Sequence, residues 1–219
     1  MTAYFVTGTD TGVGKTLVSC ALLHAMARRH PRVVGMKPVA AGLVQTPDGW
    51  DSEDAIALRA ASTVRVPPAL DNPVRLPDPL SPHLAAERVG TRIDIHHLVA
   101  CQRELAQHAD AMVVEGAGGF LVPLSPEHTG ADLAQALGLP VLLVVGLRLG
   151  CLNHALLSAE AIRARGLTLA GWVANRIDPG MAAADENIAF LRQRLGAPLL
   201  ADIPHSTTPD HRAVHIELP

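Results

Sequence analysis

Short unbroken apolar runs alternate along the chain with longer stretches in which apolar residues return every three or four positions. The runs at 3–7 (AYFVT), 33–37 (VVGMK), 111–116 (AMVVEG), 140–146 (PVLLVVG), 169–175 (LAGWVAN) and 197–203 (APLLADI) predict strands. The periodic stretches at 15 to about 29, 51–61, 93–109, 131–138, 152–165 and 185–195 predict helices, the second capped by Asp51 or Ser52. Strands that are apolar on both faces and alternate with helices make a mostly parallel sheet covered on both sides. The segment 66–83 carries six prolines and reads as an extended loop within the domain. The fold class is therefore α/β, and functional residues are expected at the carboxyl ends of the strands.

The first such end carries GTDTGVGKT, Gly8 to Thr16. The phosphate-loop pattern is G-x-x-x-x-G-K-[ST]. Counting back from Gly14, its first glycine belongs at position 9, where this chain has Thr9, with Gly8 one place early. Strand, loop and helix still follow in the right order. Backbone N–H groups of a loop opening a helix hold phosphate oxygens. Gly12 and Gly14 allow close approach, Lys15 reaches the outer phosphates, and the Thr16 hydroxyl suits Mg²⁺. The whole chain, 1–219, thus reads as one P-loop NTPase-like domain. A metal-binding acid is needed as well. Glu115 ends a strand before Gly116-Ala117-Gly118-Gly119, and Asp54 lies in the first turn of a helix, with Asp51 and Glu53 as rivals on spacing.

Composition narrows the function. With 219 residues, 48% hydrophobic and 18% charged, the chain has ample apolar content for one core. A net charge of −3 with no basic run argues against a nucleic-acid surface. No apolar run is long enough to cross a bilayer, and no signal segment stands out. Three cysteines without a CxxC pair suit a reduced, cytoplasmic protein. The eleven histidines show no metal-ligand spacing and read as surface residues. Of 18 basic residues only Lys15 and Lys37 are lysines. Where arginine is the default, a surviving lysine marks a place that needs a slim, mobile ammonium.

GTDTGVGKT, KPVAAG (37–42), VEGAGG (114–119), LGCLNHALL (149–157) and GWVAN (171–175), in this order, closely resemble the dethiobiotin synthetases, from residue 5 to about 202. The resemblance implies an ATP-dependent ligase that turns 7,8-diaminononanoate and CO₂ (or bicarbonate) into dethiobiotin on the path to biotin. It implies Mg²⁺ held by Thr16, Asp54 and Glu115, which selects Asp54 over its rivals. Lys15, Lys37 and Thr11 become the catalytic residues. ATP falls to Gly12, Val13, Gly14, Lys15, Thr16, Leu17, Glu115, Gly116, Ala117, Gly118, Asn175, Arg176, Pro204, His205 and Ser206. Substrate falls to Thr9, Asp10 and Ala41, and across a homodimer interface to Gly150, Cys151, Leu152 and Asn153. From the residues alone, 150–153 is only an anion-friendly helix start.

Two departures from the family pattern bear on substrate. Ala41 stands where the family usually has Ser or Thr, a lost hydrogen bond worth about 0.5–1.5 kcal/mol. Asn187 stands near where some members place a Tyr that reaches the partner subunit. The rival readings are a septum- or plasmid-positioning ATPase, an amidotransferase-type synthetase and a small-molecule kinase. The first carries a lysine five residues before the P-loop lysine, where this chain has Asp10. The second needs a glutaminase domain for which 219 residues leave no room. The third would release a stable phosphorylated product.

Overall fold

A computed structural model describes residues 1–47 and 49–219. In chain order the elements are β1 (Thr2–Gly8), α1 (Lys15–Ala27), β2 (Val33–Met36), β3 (Val39–Ala41), β4 (Val44–Thr46), β5 (Gly49–Asp51) and α2 (Glu53–Ala61). Then come α3 (Pro68–Asp71), β6 (Val74–Leu76), α4 (Pro82–Arg88), α5 (Ile95–His108), β7 (Ala111–Gly119), α6 (Gly130–Leu137), β8 (Val141–Gly146), α7 (Cys151–Ala164), β9 (Leu169–Asn175), α8 (Ala184–Arg194) and β10 (Leu199–Ile203). The main sheet has six strands in the order β10-β9-β8-β1-β7-β2, every neighbouring pair parallel.

Continuous apolar strands give this sheet two buried faces, and alternate residues of β1 show how. Ala3 and Phe5 join a cluster with Leu105 of α5, Ala134 of α6, Ile162 of α7 and Leu191 of α8. Tyr4 and Val6 join another with Leu22 and Leu23 of α1 and Leu58 of α2. The C-terminal segment completes that second face: Ile216 is buried in it, Glu217 N donates to Leu200 O at 3.0 Å, and Tyr4 Oη donates to Pro219 O at 3.4 Å. Within the sheet, Gly171 of β9 makes room for Leu200 of the neighbouring β10: a Cβ there would stand 2.7 Å from two carbons of Leu200.

Two expectations need correcting. The proline-rich segment is not a plain loop. Pro68 and Pro82 begin α3 and α4, positions where a missing N–H costs nothing, and β6 between them pairs in parallel with β3. These elements bury a third small cluster around Val39, Leu76, Ala85 and Leu98. Nor are all histidines plain surface residues: His24 Nε2 of α1 lies 2.9 Å from His211 Nδ1, with the rings stacked at 4.9 Å. At the start of α2 it is Ser52 that caps, accepting from Ala55 N, while Asp51 pairs with Arg59.

Candidate active site

Strand order puts the site where β1, β7 and β2 end side by side. β1 runs into the glycine loop, β7 delivers Glu115, and β2 delivers Lys37. The loop closes on itself through positive φ at Gly12 (73°) and Gly14 (89°), angles only glycine adopts freely. Val13 between them is buried, and its carbonyl accepts from Asn175 Nδ2 at 2.8 Å. The end of β9 therefore braces the loop from behind. Lys15 Nζ folds back to donate to Asp10 O at 3.0 Å.

Four side chains meet below the loop. Lys37 Nζ lies 2.7 Å from both Asp54 Oδ2 and Glu115 Oε1, and donates to Gly116 O at 3.3 Å. Thr16 Oγ1 lies 2.7 Å from Asp54 Oδ1 and 3.0 Å from Glu115 Oε1. Lys37 and Glu115 are almost wholly buried, at 3% and 0% exposure, so each charge depends on the other. Burial opposes the charge on Lys37, but Glu115 and Asp54 outweigh it and hold its pKa above the ordinary lysine value. Asp54 is likewise penalised by burial, yet Lys37 and Thr16 hold its carboxyl below the usual range. At Lys15 the compensation falls short: burial first, then the nearby Lys37 charge, lower it to about 8 despite the opposing pull of Glu115, Asp54 and Asp10.

The Lys37 backbone is fixed too. Its N–H donates to Asp71 O at 2.7 Å, and its carbonyl accepts from the buried Asn72 Nδ2 at 2.6 Å. Asp71 is in turn held by Arg59 at 2.7 Å. The proline-rich segment thus supports the floor of the site.

A cleft of about 930 Å³ opens above these groups. Asp10, Thr11, Gly12, Gly14, Lys15, Thr16, Lys37, Ala41, Asp54, Glu115, Ala117 and Gly118 all border it. Gly116 packs behind, where a Cβ would meet Phe5 Cζ at 2.9 Å, and Leu17 packs into the α1 face of the core. Thr9 is drawn toward β8: its N donates to Val144 O at 2.9 Å, and its hydroxyl accepts from Gly146 N at 3.3 Å. Arg176 and the 204–206 segment follow the ends of β9 and β10 and lie outside the cleft lining. Arg176 is engaged by Asp202 and Asp185, and His205 Nδ1 lies 3.2 Å from Arg176 O.

Gly150, Cys151, Leu152 and Asn153 are not brought to the cleft within one chain. Gly150 (φ 94°) caps α7, Cys151 is buried, and Asn153 is exposed. Asn187 lies on α8, away from the cleft lining. Sequence reasoning missed Pro79 to Pro82, which border the cleft, because the proline run read as featureless. It also missed Arg148, whose guanidinium pairs with the Asp10 carboxylate. The available signal was a basic residue just past a strand end.

Thr16, Asp54 and Glu115 fit a magnesium ion. Their oxygens converge, and Glu115 Oε2 is buried without a partner. Among the described residues no three His, Cys, Asp or Glu side chains form a metal cluster. Mg²⁺ beside a nucleotide needs only one or two carboxylates, with phosphate oxygens and water completing its shell.

Fold and cleft together define a P-loop nucleotide-binding protein. The family described as "AAA domain" matches residues 2–211. Among solved structures, the septum site-determining protein MinD of Pyrococcus horikoshii, complexed with Mg-ADP, superposes with a TM-score of 0.61 at 18% identity, covering 94% of this chain and 82% of that one. A ParA family ATPase of Chlorobium tepidum gives 0.58 at 16%, covering 94% and 85%. At such identity these share the fold alone. The ATP-dependent dethiobiotin synthetase of Aromatoleum aromaticum is 53% identical over 99% of this chain and 97% of its own length. The chain belongs to the ATP-dependent dethiobiotin synthetases, a family of ligases.

Proposed function

We propose that the chain carboxylates 7,8-diaminononanoate with CO₂ and closes the ureido ring of dethiobiotin, converting Mg-ATP to ADP and phosphate. The observation that supports it most is the meeting of the only two lysines, Lys15 and Lys37, at one phosphate loop beside Asp54 and Glu115. One amine takes up CO₂ as a carbamate and loses a proton. A carbamate oxygen attacks the γ-phosphate and ADP leaves. The second amine then attacks the carbon of this carbamic–phosphoric anhydride, and phosphate departs.

Negative charge gathers where carbamate meets triphosphate, and preorganised cations stabilise it best. Lys15 is assigned to the phosphates. Lys37 is assigned to the carbamate and the transferring phosphoryl group, with Thr11 donating beside them. Asp10 and Thr9 would hold the amines, and Asn175, Arg176 and 204–206 the adenine side. Thr16, Asp54 and Glu115 would hold Mg²⁺, which neutralises phosphate charge when bound. The two lysines and two acids already balance, so a triphosphate calls for a further cation.

A homodimer is part of this reading. Leu121, Leu149 and Leu157 are exposed, and Leu121 and Leu157 border a trough that reaches Thr9 and Asp10. A second copy seated there would bring its residues 150–153 toward the substrate's carboxylate. A cytoplasmic location fits an ATP-consuming ligase with three unpaired cysteines.

The test is phosphate release from Mg-ATP with and without the diamine and bicarbonate, with product identified by mass. Dethiobiotin and phosphate formed together, and both lost in Lys37→Ala, bear out the proposal. Slow hydrolysis indifferent to the diamine overturns it in favour of a switch ATPase.

A further inference from the structure

We infer that Arg148 is a positioning residue for the diamine, acting through Asp10. The inference rests on the reading above, in which Asp10 meets an amine.

β1 and β8 run parallel as far as the Gly8–Val144 pair, and their continuations stay together. Thr9 is stitched to Val144 and Gly146, and one step further the Arg148 guanidinium grips the Asp10 carboxylate. Arg148 works from a fixed base. Leu147 N donates to Asn175 O at 2.8 Å, Asp178 N to Leu147 O at 3.3 Å, and Cys151 N to Arg148 O at 3.0 Å. The residue thus ties the phosphate-loop approach to the first turn of α7.

Asp10 needs such a partner. Its Oδ1 already accepts from Thr11 N at 2.7 Å, and Arg148 holds Oδ2. A carboxylate has about four acceptor sites, so two remain for an amine on the cleft side. Left alone, a half-exposed acid beside a triphosphate would be repelled by it and free to turn away. Arg148 offsets that repulsion and fixes the direction in which the remaining lone pairs point. Asp10 also borders both the phosphate cleft and the apolar trough, the seam a long-chain diamine would have to cross.

The experiment is steady-state kinetics of Arg148→Gln, Arg148→Lys, Asp10→Asn and the Asp10/Arg148 double variant, with diamine and ATP varied separately. A half-exposed ion pair gives modest effects. Arg148→Gln should raise KM for the diamine roughly fivefold and leave KM for ATP within about twofold. Arg148→Lys should recover most of the loss, and in the Asp10→Asn background Arg148→Gln should add nothing. An unchanged diamine KM, an equal rise for ATP, or full additivity with Asp10→Asn overturns the assignment. Should Arg148→Gln not fold, the same comparison is made with Arg148→Met, which also removes the charge. A wild type that makes no dethiobiotin sinks the functional reading and this one with it. A competent wild type with an indifferent Arg148→Gln sinks this one alone.

Discussion

Lys15 and Lys37 both feel the charges of Asp54 and Glu115, yet their pKa values move in opposite directions. Lys37 touches both carboxylates and keeps its proton; Lys15 touches a backbone carbonyl and drops to about 8. Phosphate favours the ammonium form of Lys15, so binding should raise its pKa. The sign follows. Below about pH 7, Lys15 is charged in both free and bound protein, and affinity is flat with pH in this respect. Above about pH 8 the free protein must first take up a proton, so ATP affinity falls and binding absorbs protons. Calorimetry in buffers of different ionisation enthalpy should show proton uptake near pH 8.5 and almost none at pH 6.5. Equal heats at both values would mean that Lys15 does not titrate there. The rarity of lysine pointed to both residues from sequence. Their opposite environments did not show there, because they depend on which acid each ammonium reaches in space.

At the scale of elements, the phosphate loop is held by a strand far away in sequence. Asn175 ends β9, and its amide holds Val13 O. A Cβ on Gly14 would stand 2.2 Å from that amide, on a residue whose φ of 89° already disfavours a side chain. Gly14→Ala should therefore displace Asn175 and weaken ATP at least about tenfold, read by calorimetry; undiminished affinity would show the brace to be dispensable. Of the elements, the long ones were legible because uninterrupted apolar runs and three-to-four spacing mark them directly. The stretch 66–83 was not. Its prolines look like breakers until one sees that two of them occupy helix starts, and β6 is only three residues long, too short to show a period. Asp54 could be told from Asp51 only through the family resemblance. The fold separates them physically: Asp51 turns to Arg59, and Asp54 to Thr16 and Lys37.

For the whole molecule, the sheet collects the ends of β1, β2, β7 and β9 at one edge, and the C-terminal segment closes the face behind α1. The segment beyond residue 208 had no account from sequence, although Val214, Ile216 and Leu218 alternate with His215 and Glu217 and all three pack on the second core face. Ile216 is its anchor, at 5% exposure against the second core face. Ile216→Ala should cost about 2 kcal/mol in denaturant unfolding while leaving the diamine dependence intact. A loss below a few tenths would show the segment to be a loose tail. The cleft, by contrast, draws on many elements: its borders come from the loop after β1, α1, Lys37 after β2, β3, α2, the proline-rich segment and β7. In the proposed reaction this cleft joins an oxygen of CO₂ to the γ-phosphate. Single-turnover reaction with freshly dissolved ¹⁸O-labelled CO₂ tests it by mass spectrometry of both products. One labelled oxygen in the released phosphate, with the other retained in the ureido carbonyl of dethiobiotin, is the predicted result. Unlabelled phosphate would mean that water takes the phosphoryl group and that no carbamic–phosphoric anhydride forms.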